Sequence, residues 1–476
     1  MDFLTLTFAV FFIISVICYY TVPKKMRWSV LLVSSLVFYV WSVPQLILYL
    51  LFSAVSTYLY GKWAENHKQH GKGWLAIVIV SNLAVLLFVK FYPLCEVKLG
   101  FPALNILMPM GISFYTLQVV AYCVDVYQGK TEAQRNFLKY LLFVSFFPQI
   151  LQGPIPRYSQ LKKQLFEGHS FDYRTFKFGF QLILWGMFLK MVIADRAAIF
   201  VNTVFPQYHL YEGTVLAVAA VLYSIQLYTD FLGCVCIAMG AAKVYGIDLQ
   251  TNFERPYLAV SVKDFWRRWH ISLSSWLRDY VYIPLGGNRK GKVRRYINLL
   301  LTFLISGIWH GSGMQYIFWG LMQGGYQIAG EVLEPLRSKV RSLLQIDEKS
   351  QMCVLWKRFC TFVMITISWV IFRSASLKAG LSMLKKIVTD VTPWVFFDGT
   401  LYQFGIEQKN FLAWILCVVL LAVIEHQQEK GNIREMLERQ HLIVRWEIYL
   451  GAIALVAILG VYGPGYSATQ FLYGQF

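Results

Sequence analysis

Charge is scarce in this chain, and acidic charge is scarcer than basic. Charged residues make up 15% of the 476, with 26 acidic against 44 basic, whereas hydrophobic residues make up 57%. No hydrophilic stretch is long enough for a separate soluble domain, and the sequence shows neither an internal repeat of fixed period nor a low-complexity linker. These absences exclude a water-soluble globular protein and a repeat array, and they predict one integral unit.

The cysteine residues also give no sign of a disulfide framework. The eight cysteines are scattered, and most lie inside apolar segments, where they behave as small hydrophobic residues. Cys234 and Cys236 are spaced C-x-C, but no histidine or further cysteine lies nearby. The sequence therefore predicts neither a disulfide framework nor a metal site.

What the chain has in abundance is long apolar runs. A membrane span needs about 20 mostly apolar residues, and windowed hydropathy indicates roughly ten to thirteen such segments. The clear runs are Phe3–Tyr20, Trp74–Phe91, Ile106–Val126, Phe178–Ile193, Val215–Ala242, Ile297–Gln323, Val354–Ile371, Phe411–Ile424 and Trp446–Val461. Shorter or interrupted runs at 29–41, 45–60 and 140–153 indicate tilted, broken or re-entrant helices. The prediction is an all-α polytopic membrane protein.

Basic loops between the runs predict the orientation. The first run lacks a basic segment before it and is followed by Pro23–Arg27, which favours a retained span over a cleaved signal and places the N-terminus outside. The same rule makes Lys62–Lys72 and Lys130–Lys139 cytoplasmic and leaves 92–105 outside. It also accounts for the net charge of +18 without any nucleic-acid partner.

One basic segment exceeds what orientation requires. Between Arg255 and Arg295 there are ten Lys or Arg and two Asp. A face this basic suits a phosphate-bearing ligand, such as coenzyme A or the prosthetic group of an acyl carrier. Ordinary decoration of a cytoplasmic face explains it equally well.

A lone histidine, His310, lies in the middle of the apolar run INLLLTFLISGIWHGSGMQYIFWGLM (Ile297–Met322). A titratable group at membrane depth is costly, so it usually faces a water-filled cavity or a reaction centre. Glycines at 307, 311 and 313 supply no side-chain bulk and permit sharp backbone turns, so another group is expected to be able to approach the ring closely. The alternative is a hydrogen-bonded histidine that joins two helices.

The segment SVKDFWRRWHISLSSWLRDYVYIPLGG (Ser261–Gly287) predicts an amphipathic helix at the membrane interface. Ser261 and Asp264 have the spacing of a capping box, which marks a helix start. Three- and four-residue spacing then separates two faces. The apolar face has Trp266, Trp269, Leu273, Trp276 and Tyr280, and the polar face has Arg267, His270, Ser274 and Arg278. His270 is thus expected on the polar face, where most histidines are simply solvated or structural.

Four segments together resemble the membrane-bound O-acyltransferases (MBOAT), in the bacterial branch of alginate and cell-wall polysaccharide O-acetyltransferases. They are MPMGISFYTLQVVAYCVDVYQGK (Met108–Lys130), FPQILQGPIPRYSQL (Phe147–Leu161), NFERPYLAVSVKDFWRRWHISLSSWLRDYVYIPLGGNRKG (Asn252–Gly291) and SGIWHGSGMQYIFWG (Ser306–Gly320). The resemblance implies one membrane domain over 1–476, with N-terminal helices (1–105), a catalytic core (106–330) and C-terminal helices (331–476).

The resemblance also implies roles for individual residues. His310, in the WHG motif, corresponds to the catalytic histidine, and His270, in the RWH motif, to a second functional one. The supporting residues are Arg278, Asp279, Trp309 and Asp230. The sequence departs from the family pattern at Cys236, where DFLGCVC replaces DFSGxxD, and at Gln323, where relatives often have histidine.

The implied reaction uses a cytoplasmic thioester, acetyl-CoA or an acyl carrier protein, as co-substrate, with no bound cofactor and no metal. The expected phosphate contacts are Arg267, Arg268, Arg289 and Arg295. His310 would act as general base on an acceptor hydroxyl, and His270 would polarise the thioester carbonyl. The acyl group would cross the bacterial cell membrane, and an extracellular SGNH-type acyltransferase partner would place it on a polysaccharide.

The C-terminal ATQFLYGQF is short, aromatic and predicted to lie outside the cell. Its Phe471, Tyr473 and Phe476 are explained most simply as interfacial aromatic anchors. Similar endings occur in related acyltransferases or in a small partner protein of the D-alanylation system. That resemblance makes Tyr473 a candidate transient acyl acceptor.

Two other functions stay open. One is D-alanyl transfer to teichoic acid from a carrier protein, although the IPLGGNRKG segment resembles the acetyltransferase branch more closely. The other is a transporter or flippase without covalent chemistry, against which stand the missing inverted repeats and the concentration of His, Trp and Arg in one central block.

Overall fold

The computed structural model of the protein describes residues 3–42, 44–67, 71–99, 101–102, 104 and 107–462. Across these ranges every regular element is helical and no strand occurs, which confirms the all-α fold class. The chain divides into two compact units, one drawn from Met1–Gly186 and Cys234–Thr251, the other from Met187–Gly233 and Asn252–Tyr466. The proposed internal boundaries at 105 and 330 stay a prediction.

The first unit is a set of helices with a break at the place that the interrupted run 140–153 predicts. Its helices are Leu6–Thr21, Arg27–Ser42, Ile47–Asn66, Gly71–Leu99, Ile112–Tyr127, Phe137–Ser145, Phe147–Ile150, Tyr158–Glu167 and nearly all of Tyr173–Met187. Phe146 separates two of them, and Pro148 stands in the first turn of the second. Proline lacks the N–H that a continuing helix requires, so one helix ends and another begins.

The second unit contains the segments that carry most of the predicted site. Its helices are Asp195–Val204, Val262–Arg268, Ile271–Leu277, Gly291–His310, Met314–Val332, Glu334–Leu343, Gln351–Arg373, Leu377–Thr389, Gln408–Gln428, Ile433–Glu438 and Leu442–Leu459. The helix Gly213–Val244 is divided between the two units. Phe188–Ala194 and Arg278–Tyr282 are π-helical, a wider turn that is often found at functional sites.

Within the described residues, five helices are long and apolar enough to cross a membrane. They are Gly71–Glu96, Gly213–Val244, Gln351–Arg373, Gln408–Gln428 and Leu442–Leu459. Leu6–Thr21 and Ile112–Tyr127 are shorter apolar helices. The chain is thus a multi-pass membrane protein, and the larger number of ten to thirteen segments stays a prediction.

The apolar run Ile297–Gln323 is not one span, so the prediction was wrong there. It forms two antiparallel helices, Gly291–His310 and Met314–Val332, which we call the histidine hairpin. A Cβ on Gly307 would overlap the carbonyl oxygen of Tyr316, and one on Gly320 would overlap that of Phe303. Glycine therefore lets the two backbones touch, and His310 ends a helix at the tip of the hairpin instead of lying mid-span.

The space beside the glycines next to His310 is also occupied by the chain itself. A Cβ on Gly311 would overlap the ring of Tyr316, and one on Gly313 would overlap the side chain of Gln315. The space that these glycines leave is therefore taken up by other residues of the hairpin. The glycines serve the tight reversal of the chain.

Replacing Gly307 with alanine is expected to destabilise the hairpin by about 1–3 kcal/mol, near the upper end, because a carbonyl of the backbone cannot move aside as a side chain can. Gly325 is the matched control on the same hairpin, since a Cβ added there would meet nothing within 4 Å. Gly325→Ala should be neutral or stabilising by up to about 1 kcal/mol. Thermal unfolding in detergent measures both, and equal midpoints for the two variants would contradict the close packing.

Candidate active site

The second unit brings His270, Trp309 and His310 together. The ring centroid of Trp309 lies 4.8 Å from that of His310 and 6.2 Å from that of His270, with edge-on geometry at both. His270 is 1% exposed and His310 is 2% exposed, whereas Trp309 is half-buried. His270 and His310, forty positions apart in the sequence, thus both contact the indole ring of Trp309.

Aromatic rings surround His310. Trp319 and Phe372 meet its ring edge-on, with centroids 5.2 Å and 5.3 Å away. Both come from other helices, Met314–Val332 and Gln351–Arg373, so three helices build the pocket around one imidazole. Burial among aromatic rings strengthens any electrostatic interaction that the imidazole makes.

His270 occupies a break between two short helices, which corrects the predicted continuous helix. Helix Val262–Arg268 begins as predicted, since the Ser261 hydroxyl accepts from the Asp264 N–H at 3.1 Å. His270, however, has φ 45° and ψ 54°, a left-handed conformation that stops the helix before Ile271. Its side chain is buried, not solvated on a polar face.

Asn252 holds this break in place. Its backbone carbonyl accepts from the Ile271 N–H at 3.0 Å. Its side-chain Oδ1 accepts from the Ser272 N–H at 3.0 Å and from the Ser272 hydroxyl at 2.8 Å. These bonds satisfy donors at the start of the second helix and fix the strained backbone of His270.

Burial lowers the pKa of His270, which lies outside the five candidate spans, well below its usual range. Desolvation penalises the imidazolium form, so the ring is neutral at physiological pH. The ring of Phe231 packs edge-on against it, with a centroid distance of 4.8 Å. A neutral imidazole has one donor and one acceptor nitrogen, so it can donate a hydrogen bond without carrying charge.

Asp230, the neighbour of Phe231, belongs to a buried ion cluster with Lys190 and Asp195. Lys190 Nζ lies 2.5 Å from the Asp230 carboxylate and 2.6 Å from that of Asp195. All three side chains are at most 10% exposed. Lys190 stands in the π-helical segment Phe188–Ala194. We call these three residues the Lys190 cluster.

Gln323 has a clear structural task. Its Oε1 accepts from Trp266 Nε1 at 3.0 Å and its Nε2 donates to Ser368 Oγ at 2.7 Å. The side chain is fully buried. It joins Trp266, just before the His270 break, to the helix Met314–Val332 of the histidine hairpin and to Gln351–Arg373.

Comparison with known proteins identifies the family. Residues 133–376, just over half of the chain, match the sequence model of the membrane-bound O-acyltransferase family. The chain is 34% identical over 372 residues to the "Probable alginate O-acetylase AlgI" of Pseudomonas syringae pv. tomato, which covers 75% of this chain and 69% of that protein. The chain belongs to the membrane-bound O-acyltransferase family.

Two further relatives differ in their named activity. The peptidoglycan O-acetyltransferase of Helicobacter pylori is 35% identical over 347 residues, 66% of this chain and 64% of that protein. The teichoic acid D-alanyltransferase of Bacillus subtilis is 30% identical over 255 residues, 51% of this chain and 64% of that protein. This MBOAT protein is therefore an O-acyltransferase whose similarity to the O-acetyltransferases extends over more of the chain.

The four arginines predicted to bind the donor are in two different states. Arg268 pairs with Asp264 at 3.1 Å, and Arg295 pairs with Glu331. Arg267 and Arg289 are exposed, and within the described residues neither has an ion-pair partner. Only these two of the four have a guanidinium that is available to a phosphate without first breaking an ion pair.

The remaining predicted residues are Arg278, Asp279 and Tyr473. Arg278 and Asp279 pair with each other at 2.9 Å in the second π-helical segment, and the Arg278 side chain is 63% exposed. Tyr473 and the rest of the aromatic tail lie outside the described residues. Among the described residues, no three His, Cys, Asp or Glu are grouped so that they could hold a metal ion.

Three functional candidates were missed from the sequence: Lys190, Asp195 and Asn252. Lys190 carries a charge inside the predicted span Phe178–Ile193, and the cost of such a charge is the same signal that singled out His310. Asn252 had no such signal, because its importance comes from bonds to residues about twenty positions away.

Proposed function

We propose that this MBOAT protein moves an acetyl group from a cytoplasmic thioester donor across the bacterial cell membrane, for O-acetylation of an extracellular or cell-wall polysaccharide. The observation that carries the proposal is the pair of buried histidines that meet on Trp309. The names of the alginate and peptidoglycan relatives support a polysaccharide acceptor. Family membership favours acyl transfer over a transporter without covalent chemistry.

In the proposed reaction, His310 takes the proton of the acceptor hydroxyl as its oxygen attacks the thioester carbonyl. A tetrahedral intermediate forms, the carbon–sulfur bond breaks, and the imidazolium returns the proton to the leaving thiolate. The proton taken from the hydroxyl is thus the one that the leaving thiol carries away, and no other proton is gained or lost. Histidine suits this exchange because its ordinary pKa lies near neutral pH.

His270 is proposed to polarise the thioester carbonyl. A neutral imidazole donates one hydrogen bond, which strengthens as negative charge develops on the carbonyl oxygen. Its left-handed backbone and the Asn252 bonds fix the direction of the ring. Trp309 lies between the two imidazoles and is proposed to set their separation.

Asp230 is proposed to position His270 through Phe231. Lys190 fixes the Asp230 carboxylate, and the next residue along the helix packs its ring on His270. Arg278 and Asp279 are proposed as support for the short helix Ile271–Leu277 that follows His270.

The donor is proposed to enter from the basic cytoplasmic face, with Arg267 and Arg289 as its first phosphate contacts and Arg268 and Arg295 as further ones. The donor is acetyl-CoA or an acetylated carrier protein. The terminal tail is proposed to lie outside the cell, as is the N-terminus. There Tyr473 would accept the acetyl group and pass it to an SGNH-type partner.

Removing the exposed arginines is expected to weaken donor binding without slowing chemistry. Arg267→Gln with Arg289→Gln should raise the KM for the thioester by about tenfold or more, at unchanged kcat, because a phosphate contact remote from the reacting bond binds ground state and transition state equally. The matched control is Arg135→Gln with Arg439→Gln, which removes two exposed arginines outside the 255–295 segment and should leave the KM unchanged. Unchanged KM at low ionic strength would contradict the assignment.

Intact-mass and peptide analysis after incubation with isotopically labelled acetyl-CoA tests the proposed function. Wild type, His310→Ala and Tyr473→Phe are compared. Label on Tyr473 that disappears in both variants supports the relay. Label that reaches polymer in Tyr473→Phe keeps the transferase and refutes the relay. Transfer from a D-alanyl carrier with none from acetyl-CoA would replace the acetyl proposal with D-alanylation, the activity named in the Bacillus subtilis relative.

A further inference from the structure

The helix Glu334–Leu343, which we call the surface helix, has little cover from the rest of the described chain. It follows the histidine hairpin with only Leu333 between them. Every residue from 331 to 340 is exposed. A ten-residue helix without tertiary packing is not stable by propensity alone in water, so a surface outside the described chain is needed to hold it.

The surface helix has an apolar stripe with basic residues on both edges. The stripe consists of Leu333, Leu336, Val340, Leu343 and Leu344, which are 43% to 81% exposed. At about 100° of rotation per residue, Lys339 borders one edge of this stripe and Arg337 the other. Basic side chains in this position bury their stems along apolar surface and raise their charges to headgroup level.

The surface helix lies at the basic end of the histidine hairpin. Arg295 and Tyr296, at the start of the first hairpin helix, both contact Glu331, at the end of the second. The candidate span Gln351–Arg373 begins a few residues after the surface helix. The surface helix therefore lies between the histidine hairpin and a candidate span, at the end of the hairpin where the positive charge accumulates.

Two basic residues of the surface helix are available to an external anion. Arg341 is bound by Glu334 at 2.5 Å and by Glu348 at 2.9 Å, so its charge is compensated. Within the described part of the chain, Arg337 and Lys339 form no ion pair, and both are exposed. Positive charge on the edges of an apolar stripe complements a surface that is apolar inside and phosphate-bearing outside.

We infer that the surface helix lies in the plane of the membrane surface and binds anionic phospholipid. Its apolar stripe enters the boundary of the acyl chains, and Arg337 and Lys339 contact lipid phosphates. Such binding fixes the depth of the hairpin. From Ile297 to His310 the helix rises about 20 Å, which places His310 at most that far from the headgroup boundary, inside a hydrocarbon core of about 30 Å.

Hydrogen–deuterium exchange of the full-length protein in nanodiscs tests this inference without using enzymatic activity. Nanodiscs of phosphatidylcholine alone are compared with nanodiscs that also contain phosphatidylglycerol. The amides of 334–343 should exchange more slowly in the anionic discs. Each basic residue near an anionic surface contributes about fivefold to the binding equilibrium, so the two together give up to about thirtyfold.

Variants separate the two parts of the inference. Arg337→Gln with Lys339→Gln should remove the effect of phosphatidylglycerol, and Lys409→Gln with Lys430→Gln, the same charge loss elsewhere, should retain it. Leu336→Glu should speed exchange in both discs. Equal exchange in wild type and Leu336→Glu would overturn membrane placement. If exchange is slow but its rate changes neither with phosphatidylglycerol nor in Arg337→Gln with Lys339→Gln, the helix does not bind anionic lipid.

Discussion

Replacing His310 with phenylalanine is expected to abolish acyl transfer while the protein still folds. The imidazole meets Trp309, Trp319 and Phe372 edge-on, and a phenyl ring can keep these three contacts. It cannot accept a proton. Since a positioned general base contributes about a hundredfold to ten-thousandfold, the rate should fall by at least about a hundredfold. The measurement is transfer from labelled acetyl-CoA by the purified protein.

Two controls make this result specific to the base. His209→Phe makes the same replacement at an exposed histidine and should leave the rate unchanged. His310→Ala should lose activity as well, but with lower thermal stability, because it leaves a cavity among the aromatic rings. If His310→Phe folds and keeps its rate within a few-fold of wild type, His310 is not the base.

The position of His310 shows what the sequence can and cannot predict. The cost of a titratable group inside an apolar run is enough to identify it as a functional candidate. Hydropathy nevertheless predicts one span for that run, because it measures composition and not direction. Gly307 and Gly320 lie on two different helices, and their contacts with the opposite backbone, through Tyr316 and Phe303, show that the chain reverses.

His270 shows a second limit. Three- and four-residue spacing correctly separates the buried aromatic residues, such as Trp266 and Trp269, from the exposed Arg267. It fails for His270, because the helix breaks there and the periodicity starts again at Ile271. The break depends on hydrogen bonds from Asn252, a long-range interaction that local spacing does not encode.

The site is built as one aromatic framework around a few polar groups. Trp319 stacks on Trp369, and Gln323 ties Trp266 to the same helices, so the rings around His310 are held from several sides. Catalysis by a general base needs fixed geometry more than additional charge. The Lys190 cluster places buried charge next to this framework, because Asp230 adjoins Phe231, whose ring packs on His270.

Asp230→Asn is expected to slow acyl transfer much more than Asp195→Asn. Both carboxylates bind Lys190 at nearly the same distance, and both are buried, so either replacement removes one charge from the same cluster. Comparable losses of stability, of about 1.5–3 kcal/mol, should follow, because each replacement weakens one hydrogen bond to a charged group while Lys190 keeps the other carboxylate. Only Asp230 is joined through Phe231 to the ring of His270. A misplaced imidazole should lower kcat by about tenfold to a hundredfold.

The comparison separates positioning from simple stability. Thermal unfolding should place the two variants together, whereas kcat should separate them at unchanged KM for the donor. Lys190→Arg, which retains the positive charge, should recover more of the rate than Lys190→Met. If Asp195→Asn and Asp230→Asn lose activity equally and in proportion to stability, the Lys190 cluster only holds helices together. If Asp230→Asn alone loses kcat, the buried charge acts on the chemistry through His270.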